Sequence, residues 1–204
     1  MSLPDGNTEI PPGKLAAIAT VMAMRAEDRQ PPAPIEGLPG WQFERVPDLD
    51  LERYLSLFRA VGRDHLWYAR LLLPEAEIAA SISSRRTAIF VLSIDGHDAG
   101  FAELDLATPG SCEIVYFGVM PDHIGKGAAR FMMEQVIAFA FDQPIERLWL
   151  HTNTNDHPRA MRFYRRFGFR PERQFLELTD DPRLIGLYDE SAAPRVPIFR
   201  SAGR

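Results

Sequence analysis

A mixed α/β fold, mostly antiparallel with one parallel crossover at its centre, follows from three observations in the 204-residue sequence. Asp95-Gly96 divides two runs rich in apolar and β-branched residues, Thr87–Ile94 and Ala99–Leu106, the pattern of an antiparallel hairpin. Residues 113 to 152 read strand, glycine-rich turn, helix, strand, a unit whose two strands lie parallel across a right-handed crossover. A second helix, opened by Pro158 and closed by Gly168, then leads to a last strand, Phe169 to Leu178.

The remaining elements take their places around these. Trp41 to Val46 is a short strand, and Asp50 to about Ser83 is a long helical region interrupted near Gly62 and Pro74. Glu113 to Val119 is nearly all apolar, as in a strand covered on both faces. In the helix after Gly127, Ala128, Phe131, Met132, Val136, Phe139 and Ala140 fall on one side, and Pro144 ends it before the strand Arg147 to Thr152. The helix after Pro158 sets Ala160, Phe163, Tyr164 and Phe167 against Arg159, Arg162 and Arg166.

Eight of the 17 prolines lie in the first 47 residues, and Gln30 to Gly40 reads as a stiff connector. Leu15, Ile18, Ala19 and Met22 recur at helical spacing, which predicts a short amphipathic helix. The division expected is therefore an N-terminal extension over 1–40, one domain over 41–178 and a loosely ordered tail over 179–204 containing Pro182, Pro194 and Pro197.

With 46% hydrophobic residues the chain can build a sizeable core. Lys and Arg number 23 against 28 Asp and Glu, so a net charge of −5 provides no basic field for nucleic acid or anionic lipid. Leu15 to Met24, the longest uncharged apolar run, is about half of the roughly twenty residues that cross a bilayer, and Asp5 and Glu9 stand where a leader needs cations. A single cysteine, Cys112, points to a reducing compartment, the cytoplasm.

Gly125 and Gly127 open a helix, and an uncapped helix start offers free N–H groups to a phosphate. Neither common nucleotide motif fits. Six residues separate Gly118 from Gly125 where the P-loop has four, and Arg130 stands where the dinucleotide fingerprint needs its third glycine. His123, His151 and His157 lack metal-ligand spacing, and Cys112 lacks a neighbour that would activate a thiol, so no metal is expected.

Ile124-Gly125-Lys126-Gly127-Ala128-Ala129 resembles the signature loop of the GNAT acyltransferase superfamily, with Ile124 replacing the usual Arg or Gln. Ala160, Phe163-Tyr164 and Gly168-Phe169 resemble that superfamily's following helix. His157 stands where many members have Asn, with Asn155 and Asp156 just upstream, and which of them meets the cofactor stays open.

The resemblance implies a GNAT-type sheet and acetyl-CoA, or another acyl-CoA, as cosubstrate. Its diphosphate would sit on the amides of Gly125 through Ala129, and its pantetheine would run beside Phe117, Gly118 and Val119. The Val119 N–H would face the thioester oxygen, and Tyr164 would protonate the departing thiolate. Glu113 is the implied base, with Glu103 and Asp105 in reserve. The implied acceptor is an amine of a small molecule or peptide. His65, Trp67, Tyr68, Arg70 and the loops around Pro74 are candidates to line its pocket, with the core the alternative place for Trp67 and Tyr68. A homodimer is left open, and an acyl-CoA sensor that no longer turns over is the competing function. For Arg162, Arg165, Arg166, Arg170 and Arg173 a solvated face, contact with CoA and, least favoured, nucleic acid all remain open.

Overall fold

The computed structural model describes residues 5–28 and 38–200, so the connector expected over Gln30–Gly40 lies almost wholly outside the described residues. The elements follow the chain as β1 (Lys14–Arg25), β2 (Trp41–Arg45), α1 (Leu51–Gly62), α2 (Glu75–Ile82), β3 (Thr87–Ile94), β4 (His97–Asp105), β5 (Gly110–Val119), α3 (Ala128–Phe141), β6 (Ile145–Asn153), α4 (Ala160–Arg166) and β7 (Arg170–Asp180). The strands form a seven-stranded sheet in the order β2-β3-β4-β5-β6-β1-β7. All its neighbours are antiparallel except β5 and β6.

Local chemistry sets most boundaries. Asp50 caps α1 by accepting from the Arg53 N–H at 3.0 Å. Asp95 and Gly96 take φ of 51° and 81°, which makes the β3–β4 hairpin a two-residue turn with both central residues left-handed. Tyr54, Phe58 and Ile78 of α1 and α2 pack on Ile89, Val91 and Phe101 on one sheet face. Met132, Val136 and Ala140 of α3 pack on Phe90, Leu104 and Leu148 on the other. Each buried Val, Leu, Ile, Phe or Met among these contributes about 1.5–3 kcal/mol, against at most about 1 kcal/mol for an exposed ion pair such as Lys14–Asp180 at 2.6 Å. The two cores therefore hold the sheet.

Two expectations fail at the ends of the chain. Residues 14–25 form a strand, not an amphipathic helix, and that strand lies inside the sheet between β6 and β7. A run without charge from Leu15 to Met24 suits burial on two sides, and Ile18, Thr20 and Val21 favour extended backbone. Tertiary pairing overrides the helical spacing, so the sheet does not begin at residue 41.

The tail is also ordered through residue 200. Arg183, buried, donates to both Asp181 oxygens (2.9 and 2.7 Å) and to the Val196 carbonyl (2.8 Å), while Tyr188, Ala192 and Ala193 pack on Leu15 and Leu66. The packing on Leu15 and Leu66 is non-local and leaves no periodicity to read.

The feature that makes a site is the parting of β5 from β6. Their pairing ends at Ile114↔Leu150, while β5 stays on β4 as far as Gly100↔Val119. Glu103 pairs with Tyr116 and Leu104 with Ile114, so Val115 is an extra residue that bends β5 away from its parallel neighbour. The strand expected to be buried on both faces is therefore half-exposed from Val115 to Gly118.

Candidate active site

A cavity of about 640 Å³ occupies the gap. It runs through the sheet, bordered by Gly125, Gly127, Ala129, Phe163 and Tyr164 on the α3/α4 side. On the other side stand Leu15, Ala17, Trp67, His151 and Glu177.

Gly127 sits at φ +92° as the N-cap of α3, and no side chain caps the helix. Gly125 is also left-handed, at φ +81°, and a Cβ there would meet nothing within 4 Å, so it is conformation and not crowding that calls for glycine. An uncapped 14-residue helix directs its first amides and positive end into the cavity, so the turn can seat a diphosphate. Ile124, Gly125, Gly127 and Ala129 line the cavity; Ala128 is buried in the core below and Lys126 is not on the wall.

The Met120 N–H donates to the Ala99 carbonyl at 2.8 Å, so backbone alternation turns the Val119 and Phe117 amides away from β4 and into the gap. Gly118 between them admits the close approach of α1, because a Cβ there would lie 2.4 Å from a Val61 methyl. Phe117 stacks on Phe163, ring centres 6.0 Å apart, and meets Tyr164 edge-on at 6.5 Å. Tyr164 lines the cavity, burial holds its proton more tightly than usual, and among the described residues its hydroxyl makes no hydrogen bond. It is thus not a core tyrosine tied to backbone.

Asn155 and His157 both reach the wall. Asp156 fixes their loop by accepting from the Thr152 hydroxyl (2.7 Å) and the Asn153 N–H (3.0 Å). Burial, with Arg159 and Arg195 nearby, lowers the His157 pKa and keeps the ring neutral near pH 7. Arg130, Arg159, Arg162 and Arg166 also line the cavity. Their convergence from two helices was not visible in the spacing, and it sets Arg162 and Arg166 on a site wall instead of a merely solvated face.

Glu113 is not on the wall. It stands behind His151, its Oε1 3.7 Å from Nδ1, and this carboxylate first of all raises the His151 pKa above 6.5. Glu113 faces Trp149 across the strand pair, and His151, two residues on, shares that face. The Nδ1 edge is turned to the carboxylate, which leaves Nε2 for the cavity.

Neither reserve carboxylate lines the cavity. Glu103 is buried away from the cavity, ion-paired with Arg70 and accepting from the Tyr54 hydroxyl at 2.6 Å. Asp105 accepts from the Ala107 N–H at 2.6 Å in the turn after β4. Cys112 is fully buried, and burial pushes its thiol up to about 12, so it supplies no thiolate. Among the described residues no three His, Cys, Asp or Glu side chains gather around a common metal position.

His65, Trp67 and Tyr68 line the far end of the cavity, so Trp67 and Tyr68 are wall residues, whereas Arg70 turns away to Glu103. The tail holds this wall in place. Tyr188 donates to the Trp67 carbonyl at 2.7 Å, and Arg195 bridges the Asp156 carbonyl (2.9 Å) and the Asp64 carbonyl (3.1 Å).

Comparison with known proteins agrees with this geometry. The chain is 34% identical over 112 residues to an uncharacterized N-acetyltransferase of Mycobacterium bovis, covering 54% of this chain and 71% of that protein. A Mycobacterium tuberculosis protein of the same description matches equally. Among solved structures, a GCN5-related N-acetyltransferase from Sphaerobacter thermophilus aligns with a TM-score of 0.61 at 23% identity, over 84% of this chain and 53% of that one. The chain thus spans about half of that structure. An aminoglycoside acetyltransferase from an uncultured soil metagenomic sample, in complex with sisomicin, aligns at a TM-score of 0.50 with 14% identity, over 63% of this chain and 87% of that one. Residues 49–169 match the acetyltransferase (GNAT) family, and since that stretch is more than half of the sequence, the chain belongs to this family.

Proposed function

We propose that this chain is an N-acyltransferase that passes an acetyl or other acyl group from acyl-CoA to an amine of a small molecule or peptide by direct attack. The supporting observation is that the parted strands, the uncapped start of α3, the Tyr164 hydroxyl and the His151 ring border one cavity. Bound acyl-CoA supplies the activated thioester.

The chain's own residues do the rest. Amides from Gly125 through Ala129 hold the diphosphate, with Arg130, Arg159, Arg162 and Arg166 adding positive charge. Asn155 and His157 border the same end, and the main chain of Phe117, Gly118 and Val119 pairs with the pantetheine arm. The Val119 N–H stabilises charge on the thioester oxygen. The amine arrives as ammonium; His151 Nε2 takes its proton, with Glu113 holding the ring, and Tyr164 returns a proton to the leaving sulfur. The reducing cytoplasm is the compartment proposed, on the single buried cysteine.

Acetyl-CoA at 100 times its dissociation constant should stabilise the chain by about 2.7 kcal/mol in a thermal melt. Thiol release is then measured over a panel of amino acids, polyamines, aminoglycosides and peptides. Stabilisation without thiol release from any acceptor would make the chain a sensor, and no response of either kind removes the proposal. Tyr164→Phe should lower kcat by about 10²-fold or more while leaving acyl-CoA affinity within a factor of about two, read by titration and steady-state rates.

A further inference from the structure

β7 is an edge strand of 11 residues, and among the described residues no strand pairs with its outer side. Edges of this length are usually blunted because their unpaired N–H and C=O groups invite another strand. Here the bulge and the proline that interrupt pairing are confined to one end. Glu172 is a bulge, skipped between Val21↔Arg173 and Met22↔Pro171, and Pro171 beside it lacks an amide hydrogen. From Arg173 to Asp180 the edge is regular, and Phe175, Leu176 and Leu178 are 40%, 38% and 50% exposed. Ile18, paired with Leu176, is 51% exposed, so the edge carries an apolar patch.

The backbone phase of this edge is fixed. Ile18 directs its N–H to the Thr154 hydroxyl and its carbonyl to the Thr154 N–H, both at 3.2 Å, on the β6 side. Ile18↔Leu176 is then a non-hydrogen-bonded pair, and the Leu176 amide and carbonyl point outward, as do those of Gln174 and Leu178.

We propose that a second copy of this chain occupies the edge, its β7 running antiparallel to the first about a two-fold axis at Phe175. The charges choose that register. Centred on Phe175, each Arg173 stands opposite a Glu177, twice by symmetry, Phe175 meets its own copy, and the outward groups of Gln174 and Leu176 face each other. Centred on Glu177, the two carboxylates would collide; centred on Leu176, Glu172 would face Asp180. On the other face the two Leu176 side chains then lie diagonally across the axis, and Arg170 stands opposite Asp180.

On the opposite face the pairing reaches the cavity, whose wall includes Glu177. Glu177 accepts from the Asn153 side chain at 2.8 Å with one oxygen, which leaves the other for Arg173 of the partner subunit. Each copy thereby adds a guanidinium to the other's acceptor end, a role that rests on the function proposed above, whereas the pairing does not.

Sedimentation of the full chain near 20 µM tests the pairing without any acyl-CoA. Twice the 23.1 kDa chain mass is expected. Arg173→Glu puts carboxylates face to face and should weaken association by about 10- to 100-fold, and Arg173→Glu with Glu177→Arg should restore the dimer. Circular dichroism melts confirm that each variant folds. A monomeric native chain, or a dimer indifferent to Arg173→Glu, overturns the proposal even if acyl transfer is found, and the dimer stands even if it is not.

Discussion

His151→Ala lowers kcat by about 10²- to 10⁴-fold with acyl-CoA affinity preserved, the range for loss of a general base. The pH dependence separates His151 from Glu113. The Glu113 carboxylate, ahead of the opposing effect of burial, raises the His151 pKa above 6.5. A neutral ring is the competent form, so the native rate climbs with pH through a midpoint above 6.5 and falls as the ring protonates below it. Glu113→Gln removes the largest raising influence, so the midpoint moves down while the plateau rate also drops. The same acceptor in both assays cancels the amine's own titration. An unmoved midpoint in Glu113→Gln would detach Glu113 from the base.

Arg70→Met unfolds the chain far more readily than native, by about 3–5 kcal/mol, because it strands a buried carboxylate. Glu103 keeps 2% of its side chain exposed and Arg70 15%, and the guanidinium also donates to the Tyr54 hydroxyl at 3.1 Å and lies 5.6 Å from the centre of the Tyr116 ring. A typical total stability is about 5–15 kcal/mol, so most of the margin is at stake. In a chain of this size the melting midpoint falls by about 6–20 °C. Glu103→Gln added to Arg70→Met recovers a good part of the loss, since no charge is then left unpaired. A melt within about 2 °C of native for Arg70→Met alone would show that water reaches Glu103.

The domain core was legible because its signals are local. Asp95-Gly96, Gly127, Pro144 and Gly168 each mark a boundary through their own backbone preferences, and the structure places strands and helices between them as expected. β1 was not, because a charge-free run fits a helix packed on one side as well as a strand packed on two, and only its neighbours decide. The resemblance to a family drew attention to Glu113 and Tyr164 but not to His151, whose importance comes from standing across a parallel strand pair from Glu113. The arginines at the cavity wall and the tail's grip through Arg195 likewise arise from residues far apart in sequence.

The position of β1 inside the sheet also dictates an order of events. Lys14 and Asp180 are 166 residues apart yet joined at the end of the β1–β7 ladder, and β6 on the other flank is nearly as distant. As the polypeptide leaves the ribosome, the strand synthesised first waits, apolar and unpaired, for the two synthesised last. The half of the sheet holding the cavity therefore closes only once β6 and β7 have emerged, and truncation past Gly13 would split its centre.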